Sequence, residues 1–175
     1  MQILVACICI VLLGSCGARR THMDTAYCLM QRNDREFAYS GIFEFMTVMP
    51  TQALIGDFKK HYITKQYRLK DVDGARIFFC SFMEAILRPL NEDRSIRPFL
   101  KSYPMTFRDM DLQIVFVDED EAPLLEPYFC SIRKVGDKIY YEHYDTSIQK
   151  SVAYSIEFAD RAFRIAAAER KKGAL

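Results

Sequence analysis

The chain has 175 residues, half of them hydrophobic, with 24 Lys and Arg against 23 Asp and Glu and a formal charge of +1. A balance so near neutral lacks the basic excess that phosphate neutralisation requires, which argues against a nucleic-acid-binding protein. Gly and Pro are too sparse, and Phe and Tyr too plentiful, for disorder over most of the length. We therefore expect one compact domain with a sizeable core.

An apolar run opens the chain between Ile3 and Leu13. It is too short to cross a hydrocarbon core about 30 Å thick as a helix, which takes about 20 residues, but it has the length of the apolar segment of a signal peptide. Two features disagree with a signal peptide, because Met1-Gln2 supplies no basic residue before the run and Arg19-Arg20 follows it. An N-terminal core helix or an uncleaved anchor therefore stays open as an alternative.

The apolar run leads into Leu13-Gly14-Ser15-Cys16. This tetrapeptide resembles the lipobox of bacterial lipoprotein precursors, in which the cysteine becomes the acylated first residue of the mature protein. The resemblance implies a signal peptide over residues 1–15, fatty-acyl groups such as palmitate on Cys16, and a lipidated tether over 16–24, which leaves 25–175 for a single domain. It also implies a protein anchored in the lipid bilayer of the bacterial cell envelope, facing the periplasm or the cell surface.

Helical spacing of apolar residues is frequent in the first part of the proposed domain. Asp24 is a candidate N-cap for a helix from Thr25 to about Arg35. Two further helices are predicted to meet near Pro50, one on the spacing from Ile42 to Met49 and the other from Leu54 to Tyr62. Residues 25–65 are therefore predicted to be largely helical.

Two longer amphipathic helices are predicted in the rest of the domain. The strongest pattern runs from Asp73 to about Leu90, where an apolar stripe lies opposite charged residues and Asp73 is the candidate N-cap. The second runs from Ser151 to about Arg170, on the helical spacing of Val152, Ile156, Ala159, Phe163, Ala166 and Ala167.

Between these two helices the apolar period changes to two. The pattern predicts strands at about 111–118, 128–135 and 138–144, with Gly136-Asp137 as a tight turn between the last two. The simplest assembly is a three-stranded antiparallel meander, which cannot bury both faces alone. We therefore expect an α+β fold in which the helices at about 73–90 and 151–170 cover the sheet.

Short motifs accompany the apolar helix and the strands: Arg97-Pro98-Phe99-Leu100, Tyr103-Pro104 and Gly136-Asp137-Lys138-Ile139-Tyr140-Tyr141. In this combination the body of the chain resembles uncharacterised exported α+β domains of chlamydia-like intracellular bacteria, over roughly residues 73–168. The resemblance implies an α+β fold and an envelope or host-facing setting. It brings no catalytic chemistry to any residue of this chain.

The set closest to a catalytic triad is His143, Asp145 and Ser147. On a continuing strand, alternate residues lie about 6.6 Å apart, beyond the roughly 3 Å that a nucleophile and its base require. No nucleophile elbow or oxyanion-hole motif accompanies them. We therefore assign no catalytic residue, and a small exported enzyme with a site assembled around His143 is the alternative.

The acidic run Asp118-Glu119-Asp120-Glu121 lacks the ligand spacing and central Gly of an EF-hand loop, so we interpret it as a solvated turn. His22, His61 and His143 are scattered along the chain, without Cys or carboxylate neighbours at metal-ligand spacing. The sequence predicts no metal, no cofactor and no small-molecule substrate.

Two aromatic groups are candidates for contact with a partner. Tyr140, Tyr141 and Tyr144 would form an amphipathic surface if one face of the sheet were exposed, because tyrosine is enriched at protein interfaces. Arg97 and Tyr103 would form part of a basic aromatic patch for an anionic ligand. In both cases the competing interpretation is ordinary packing against the core.

Four cysteines follow the apolar run, and Cys16 is the one expected to carry lipid. Cys80 and Cys130 are expected to be small buried hydrophobes, since free cysteine is among the most buried residue types. Together these features lead us to expect a membrane-anchored lipoprotein whose α+β module makes contacts and is not catalytic. A cytoplasmic adaptor with an N-terminal core helix is a further alternative.

Overall fold

The structure is a computed structural model, and it describes Thr25, Ala26, Cys28, Leu29, residues 40–44 and residues 58–173. The predicted signal peptide, Cys16, the tether and the region around Pro50 lie outside the described residues. Thr25, Ala26, Cys28 and Leu29 are helical, in agreement with the helix predicted to begin at Thr25. The side chain of Ala26 is buried in the main core.

The described strands form one six-stranded sheet in which strands adjacent along the chain are also adjacent in space. Neighbouring strands are antiparallel, except that the second and third are parallel. The strands are β1 (Ser40–Glu44), β2 (Phe58–Thr64), β3 (Met110–Phe116), β4 (Ser131–Val135), β5 (Lys138–Asp145) and β6 (Lys150–Phe158).

A parallel pair of strands needs a long crossover connection, which here runs between β2 and β3. The connection contains helix α1 (Val72–Glu92) and two short 3-10 turns, Arg97–Phe99 and Phe107–Asp109. The second helix, α2 (Ala159–Gly173), follows β6 directly. From β2 onwards the described chain is therefore a βαβ unit followed by an antiparallel meander and a closing helix, with β1 added antiparallel to β2.

The predicted α+β class is confirmed, but the predicted three-stranded antiparallel meander is wrong. Strands β3, β4 and β5 lie close to the three predicted segments and pair antiparallel, with the turn at Gly136-Asp137 as expected. They are the interior of a larger, mixed sheet that also contains β1, β2 and β6.

Three of the predicted helices are corrected by the structure. The segments Ser40–Glu44 and Phe58–Thr64, assigned to helices near Pro50, are strands. The helix predicted over 151–170 begins only at Ala159, because Lys150–Phe158 is a strand. In this last segment the helical spacing of Val152 and Ile156 coincides with an alternation that favours a strand, and β-branched and aromatic side chains pack well in strands.

Helix α1 lies within two residues of its predicted ends, with a different N-cap. Asp71 is the cap, and its Oδ1 accepts a hydrogen bond from the backbone N–H of Gly74 at 2.7 Å. Asp73, which was the predicted cap, lies in the first turn and pairs with Arg76. Of the predicted apolar stripe of α1, Phe82, Ile86 and Leu90 are buried, whereas Ile77, Phe78 and Ala85 are half-buried. The buried face of the helix also contains Ala75, Phe79, Cys80, Met83 and Leu87.

One face of the sheet forms the core with both helices. Tyr62, Ile114, Ile132 and Tyr141 are register partners across four successive strands, and all four side chains are fully buried. The buried stripe of α1 and three alanines of α2 belong to the same hydrophobic cluster. The opposite face, called the open face below, carries exposed charged and apolar side chains, which include Lys59, Ile63, Val135, Lys138, Ile156 and Phe158.

Ion pairs join α1 to two distant elements of the fold. Nε of Arg76 on α1 donates to both carboxylate oxygens of Glu157 on β6, at 2.8 and 3.0 Å. The hydroxyl of Tyr141 donates to the same carboxylate at 2.5 Å. Arg170 on α2 binds Glu84 on α1 through two nitrogens, at 2.5 and 2.8 Å. Helix α1 is therefore fixed both to the last strand and to the last helix.

Candidate functional site

Strand β6 forms an edge of the sheet and has only β5 as a described neighbour. Four of its nine side chains are large and apolar, and they are 44 to 66% exposed. An edge strand presents unpaired backbone N–H and C=O groups to any other strand that approaches. We call this strand with its exposed side chains the β6 edge, and its apolar members are Val152, Tyr154, Ile156 and Phe158.

Edge strands are usually protected by charged side chains, proline or a covering element. The only charged residues of β6 are Lys150, at its start, and Glu157. Glu157 is turned towards the core, where its carboxylate is bound by Arg76 and Tyr141. The β6 edge therefore has little protection against pairing with another strand, apart from a β-bulge.

A β-bulge divides the β6 edge into two halves. Tyr141 pairs with Ser155 but Glu142 pairs with Ala153, which leaves Tyr154 as an additional residue in β6. Opposed residues of an antiparallel pair share a face, so Phe158, the partner of Lys138, lies on the open face. The Tyr154 ring lies on the other side, with its centroid 4.7 Å from that of His143.

A cleft of about 510 Å³ lies beside the first half of the β6 edge. The end of β5, the turn that follows it and the loop before β4 form its walls. It is lined by Leu125, Glu126, His143, Tyr144, Asp145, Thr146, Val152, Ala153 and Tyr154.

His143 is the central residue of the alternative interpretation, a small exported enzyme. Its ring is held edge-on against Phe129, with centroids 4.9 Å apart, and beside Tyr154. Both ring nitrogens are shielded from solvent and have no hydrogen-bond partner. Nδ1 lies 3.3 Å from Oε1 of Glu126, but without hydrogen-bond geometry, and because the Glu126 side chain is largely exposed this contact is weak.

The other two members of the triad-like set form a turn. The backbone N–H and the hydroxyl of Ser147 both donate to Oδ1 of Asp145, at 2.8 and 2.6 Å. These hydrogen bonds lower the pKa of the Asp145 carboxyl. Asp145 therefore shapes the β5–β6 turn with Ser147, while His143 packs against aromatic rings.

The three candidate tyrosines of β5 are placed in three different environments. Tyr141 is fully buried and belongs to the core, so it offers no contact surface. Burial, and then the hydrogen bond to Glu157, raise the pKa of its hydroxyl. Tyr140 is half-buried on the open face under the guanidinium of Arg133, 4.3 Å from its ring centroid. Tyr144 is half-buried and lines the cleft.

Arg97 and Tyr103 form a pair on the surface. The Arg97 guanidinium lies 4.5 Å from the centre of the exposed Tyr103 ring. The basic aromatic patch and its anionic ligand stay predictions.

The acidic run forms a turn between β3 and β4. Oδ1 of Asp118 accepts from the backbone N–H groups of Asp120 and Ala122, at 3.0 and 2.9 Å. Glu121 lies 3.4 Å from the ammonium of Lys65. Within the described part of the chain, no group of three or more His, Cys, Asp or Glu side chains is placed to hold a metal ion.

The two predicted buried cysteines are confirmed. Cys80 and Cys130 are both buried, free thiols. Burial raises the pKa of Cys80 to about 12, assisted by the charges of Glu157 and Glu84. Burial also raises the pKa of Cys130. A thiolate is the reactive form of cysteine, so neither thiol is prepared for nucleophilic chemistry.

The β6 edge was missed by sequence reasoning, because residues 151–158 were assigned to a helix. The alternation of Val152, Tyr154, Ile156 and Phe158 was the signal that could have revealed it.

Among the residues that the structure describes, no helix has both the length and the apolarity to cross a bilayer. Comparison with models of protein families, with curated proteins and with solved structures finds no match to this chain.

Proposed function

We propose that this protein is a membrane-anchored contact module of the bacterial envelope, held by acyl groups on Cys16 and binding a protein partner through the β6 edge. The observation that carries the contact role is the exposure of four large apolar side chains on one edge strand. Strand addition at such an edge gives affinity through backbone hydrogen bonds, and the apolar side chains supply burial.

The geometry of His143 supports a role without catalysis. A general base must reach the proton that it abstracts, and both ring nitrogens of His143 are shielded from solvent. Its ring packs against Phe129 and Tyr154, and the carboxylate that approaches Nδ1, that of Glu126, belongs to a largely exposed side chain. The enzyme alternative would therefore need a rearrangement of the cleft before this imidazole could meet a substrate.

The anchor is supported by the Leu13-Gly14-Ser15-Cys16 motif. One acyl chain holds a protein only marginally at a membrane, whereas two signals anchor it stably, so a multiply acylated Cys16 would retain the protein. The test is metabolic labelling of cells with a fatty-acid analogue, comparing the natural chain with Cys16→Ser. We expect label on the natural chain only. Equal labelling of Cys16→Ser would overturn the anchor.

The contact role is tested by photo-crosslinking in native membranes. A photoreactive amino acid replaces Ile156 on the β6 edge or, as a matched control, Ile63 on β2; both isoleucines are exposed on the open face. We expect a discrete protein adduct from position 156 that is absent or much weaker from position 63. Equal adducts, or none at either position, would overturn the assignment of the contact to the β6 edge.

A further inference from the structure

We propose that a cleft on the open face of the sheet binds a phosphate group, carried either by a soluble molecule or by a lipid headgroup. The cleft has a volume of about 320 Å³ and is lined by residues of β2, β3 and β4. Its charged side chains on the open face are two cations, Lys59 and Arg133, and one carboxylate, Asp111. This inference does not depend on the contact proposed for the β6 edge.

Three strands contribute one polar side chain each to a row across this cleft. His61 on β2, Gln113 on β3 and Arg133 on β4 are register partners, so their side chains share the open face. Neighbouring strands lie about 4.8 Å apart, which places the backbones of the outer two about 9.6 Å from each other. A phosphate group above Gln113 would therefore have a hydrogen-bond donor on each side.

Arg133 is held in place at one wall of the cleft. Its Nε donates to Glu142 at 2.7 Å, and this carboxylate, whose side chain is only 5% exposed, also accepts from the hydroxyl of Ser131. The guanidinium lies over the ring of Tyr140, 4.3 Å from its centroid. The pair with Glu142 uses Nε, which leaves the donors of both terminal nitrogens for a ligand. Arg133 therefore combines a fixed position with donors that match the oxygens of an anion.

Lys59 brings a second cation, and the carboxylate opposite it on β3 is engaged elsewhere. Asp111 is the register partner of Lys59, but Oδ1 of Asp111 accepts from the backbone N–H of Gly136 at 2.9 Å. The same oxygen lies 3.6 Å from the ammonium of Lys134, whose side chain is fully buried. Because Asp111 is occupied in this way, the exposed Lys59 ammonium is able to meet the charge of a ligand.

The donor set favours a phosphate over a carboxylate. It comprises an ammonium and an imidazole from β2 and the edge of a guanidinium from β4. A phosphate monoester carries about 1.5 to 2 negative charges at neutral pH and three acceptor oxygens, so it can accept from all three groups. A carboxylate has a single charge and two oxygens in one plane. The cleft lies at the lower end of the size range of ligand sites, which fits a small phosphorylated group.

The test is a phosphorus NMR titration of inorganic phosphate with the full-length protein, purified in detergent at physiological ionic strength. We expect the natural chain to broaden the phosphate signal in a saturable way. Lys59→Gln should weaken this binding about tenfold, since it removes a charge-assisted hydrogen bond. The matched control is Lys138→Gln, which removes an exposed lysine of the open face outside the cleft and should bind phosphate like the natural chain.

A second variant addresses the arginine without removing its charge. Arg133→Lys keeps a cation beside Glu142 but loses the paired donors of the guanidinium, so it should also bind phosphate more weakly. Circular dichroism checks that both variants are folded. The inference is overturned if the natural chain gives no saturable broadening, or if folded Lys59→Gln and Arg133→Lys both bind phosphate as well as the natural chain.

Competition identifies the source of the phosphate group. Displacement of inorganic phosphate by glycerol 3-phosphate supports a soluble phosphate monoester as the ligand. Displacement by micelles that contain phosphatidic acid, with no effect of glycerol 3-phosphate or of phosphatidylcholine micelles, supports a lipid headgroup. Equal displacement by acetate would show that the cleft holds an adventitious ion only, and it would overturn the assignment of a phosphate site.

Discussion

Arg76 on α1 and Glu157 on β6 form an ion pair that joins the first helix to the last strand. Nε of Arg76 lies 2.8 and 3.0 Å from the two carboxylate oxygens of Glu157. Their side chains are only 11 and 10% exposed. Burial alone would lower the pKa of Arg76, but the hydrogen bonds to Glu157 and Asp73 outweigh it and raise the pKa. The Arg76 guanidinium therefore stays charged, and the Glu157 carboxylate is its main partner in the buried pair.

Removing the negative charge with Glu157→Gln should lower the free energy of unfolding by about 3 kcal/mol, because it leaves the buried guanidinium without its counter-charge. The control is Asp160→Asn, which breaks the largely exposed pair with Arg108 and should change stability by less than about 1 kcal/mol. Urea denaturation measures both. Equal losses of unfolding free energy in Glu157→Gln and Asp160→Asn would contradict the prediction that the buried ion pair contributes more to stability than the exposed one.

Stability should fall at alkaline pH. The pKa of Cys80 rises from its ordinary 9.0 to about 12 on folding, and that of Tyr141 is raised as well, chiefly by burial. A raised pKa means that the folded state keeps a proton that the unfolded chain loses, so this stabilisation is complete below pH 9 and is lost as the pH rises towards 12.

For Cys80 the expected slope is about 1.4 kcal/mol per pH unit, the effect of one bound proton. Cys80→Ala should reduce the alkaline slope by that amount, whatever its effect on stability at pH 7. Urea denaturation at a series of pH values above 9 checks this. An unchanged slope in Cys80→Ala would show that this thiol is not the group responsible.

The N-cap of α1 can be tested by comparing two neighbouring aspartates. Asp71→Ala should destabilise the protein by about 1 kcal/mol, because it removes the acceptor for the N–H of Gly74, whereas Asp71→Asn should retain most of the stability. Asp73→Ala should cost less, since the Asp73 side chain is 84% exposed and Arg76 keeps its pair with Glu157 when the aspartate is removed. Thermal or urea unfolding of the three variants ranks them, and a larger loss for Asp73→Ala would contradict the assignment of the cap.

His143 should be replaceable by an apolar ring. Its nitrogens are buried without hydrogen bonds, and a buried polar group without a partner is destabilising. His143→Phe should therefore leave the free energy of unfolding unchanged or raise it by up to about 1 kcal/mol. His143→Ala, which loses the ring contacts with Phe129 and Tyr154, should lower it. A strong destabilisation by both substitutions would indicate that the imidazole has a specific polar role.

The parts of the fold predicted correctly from sequence are those in which one periodicity is unambiguous. The stripe of α1 has a helical period and β3 alternates regularly. The hairpin between β4 and β5 is marked by Gly136, whose φ of +60° is a conformation that glycine adopts readily. Strand β2 could not be recognised in the same way, because Lys60 and Thr64 are buried although they are polar. Polar residues at buried positions conceal the alternation of apolar residues that identifies a strand.

The candidate site was harder to predict because it depends on how strands are arranged. Tyr140 and Tyr141 are adjacent in sequence, and the period of two places them on opposite faces. Which face the helices cover is decided by contacts with α1 and α2. To predict the β6 edge one must know that no described strand pairs with the far side of β6. That depends on the order of all the strands in the sheet.

The parallel pairing of β2 with β3 determines when the parts of the sheet can form. Each strand from β4 to β6 can pair with its predecessor as soon as both are present, since neighbours along the chain are neighbours in the sheet. Strand β2 finds β3 only once the intervening crossover has been made. A nascent chain that ends before Met110 would expose the apolar stripe of α1 without a sheet to receive it. During that interval the exposed stripe is an apolar surface on which aggregation can begin.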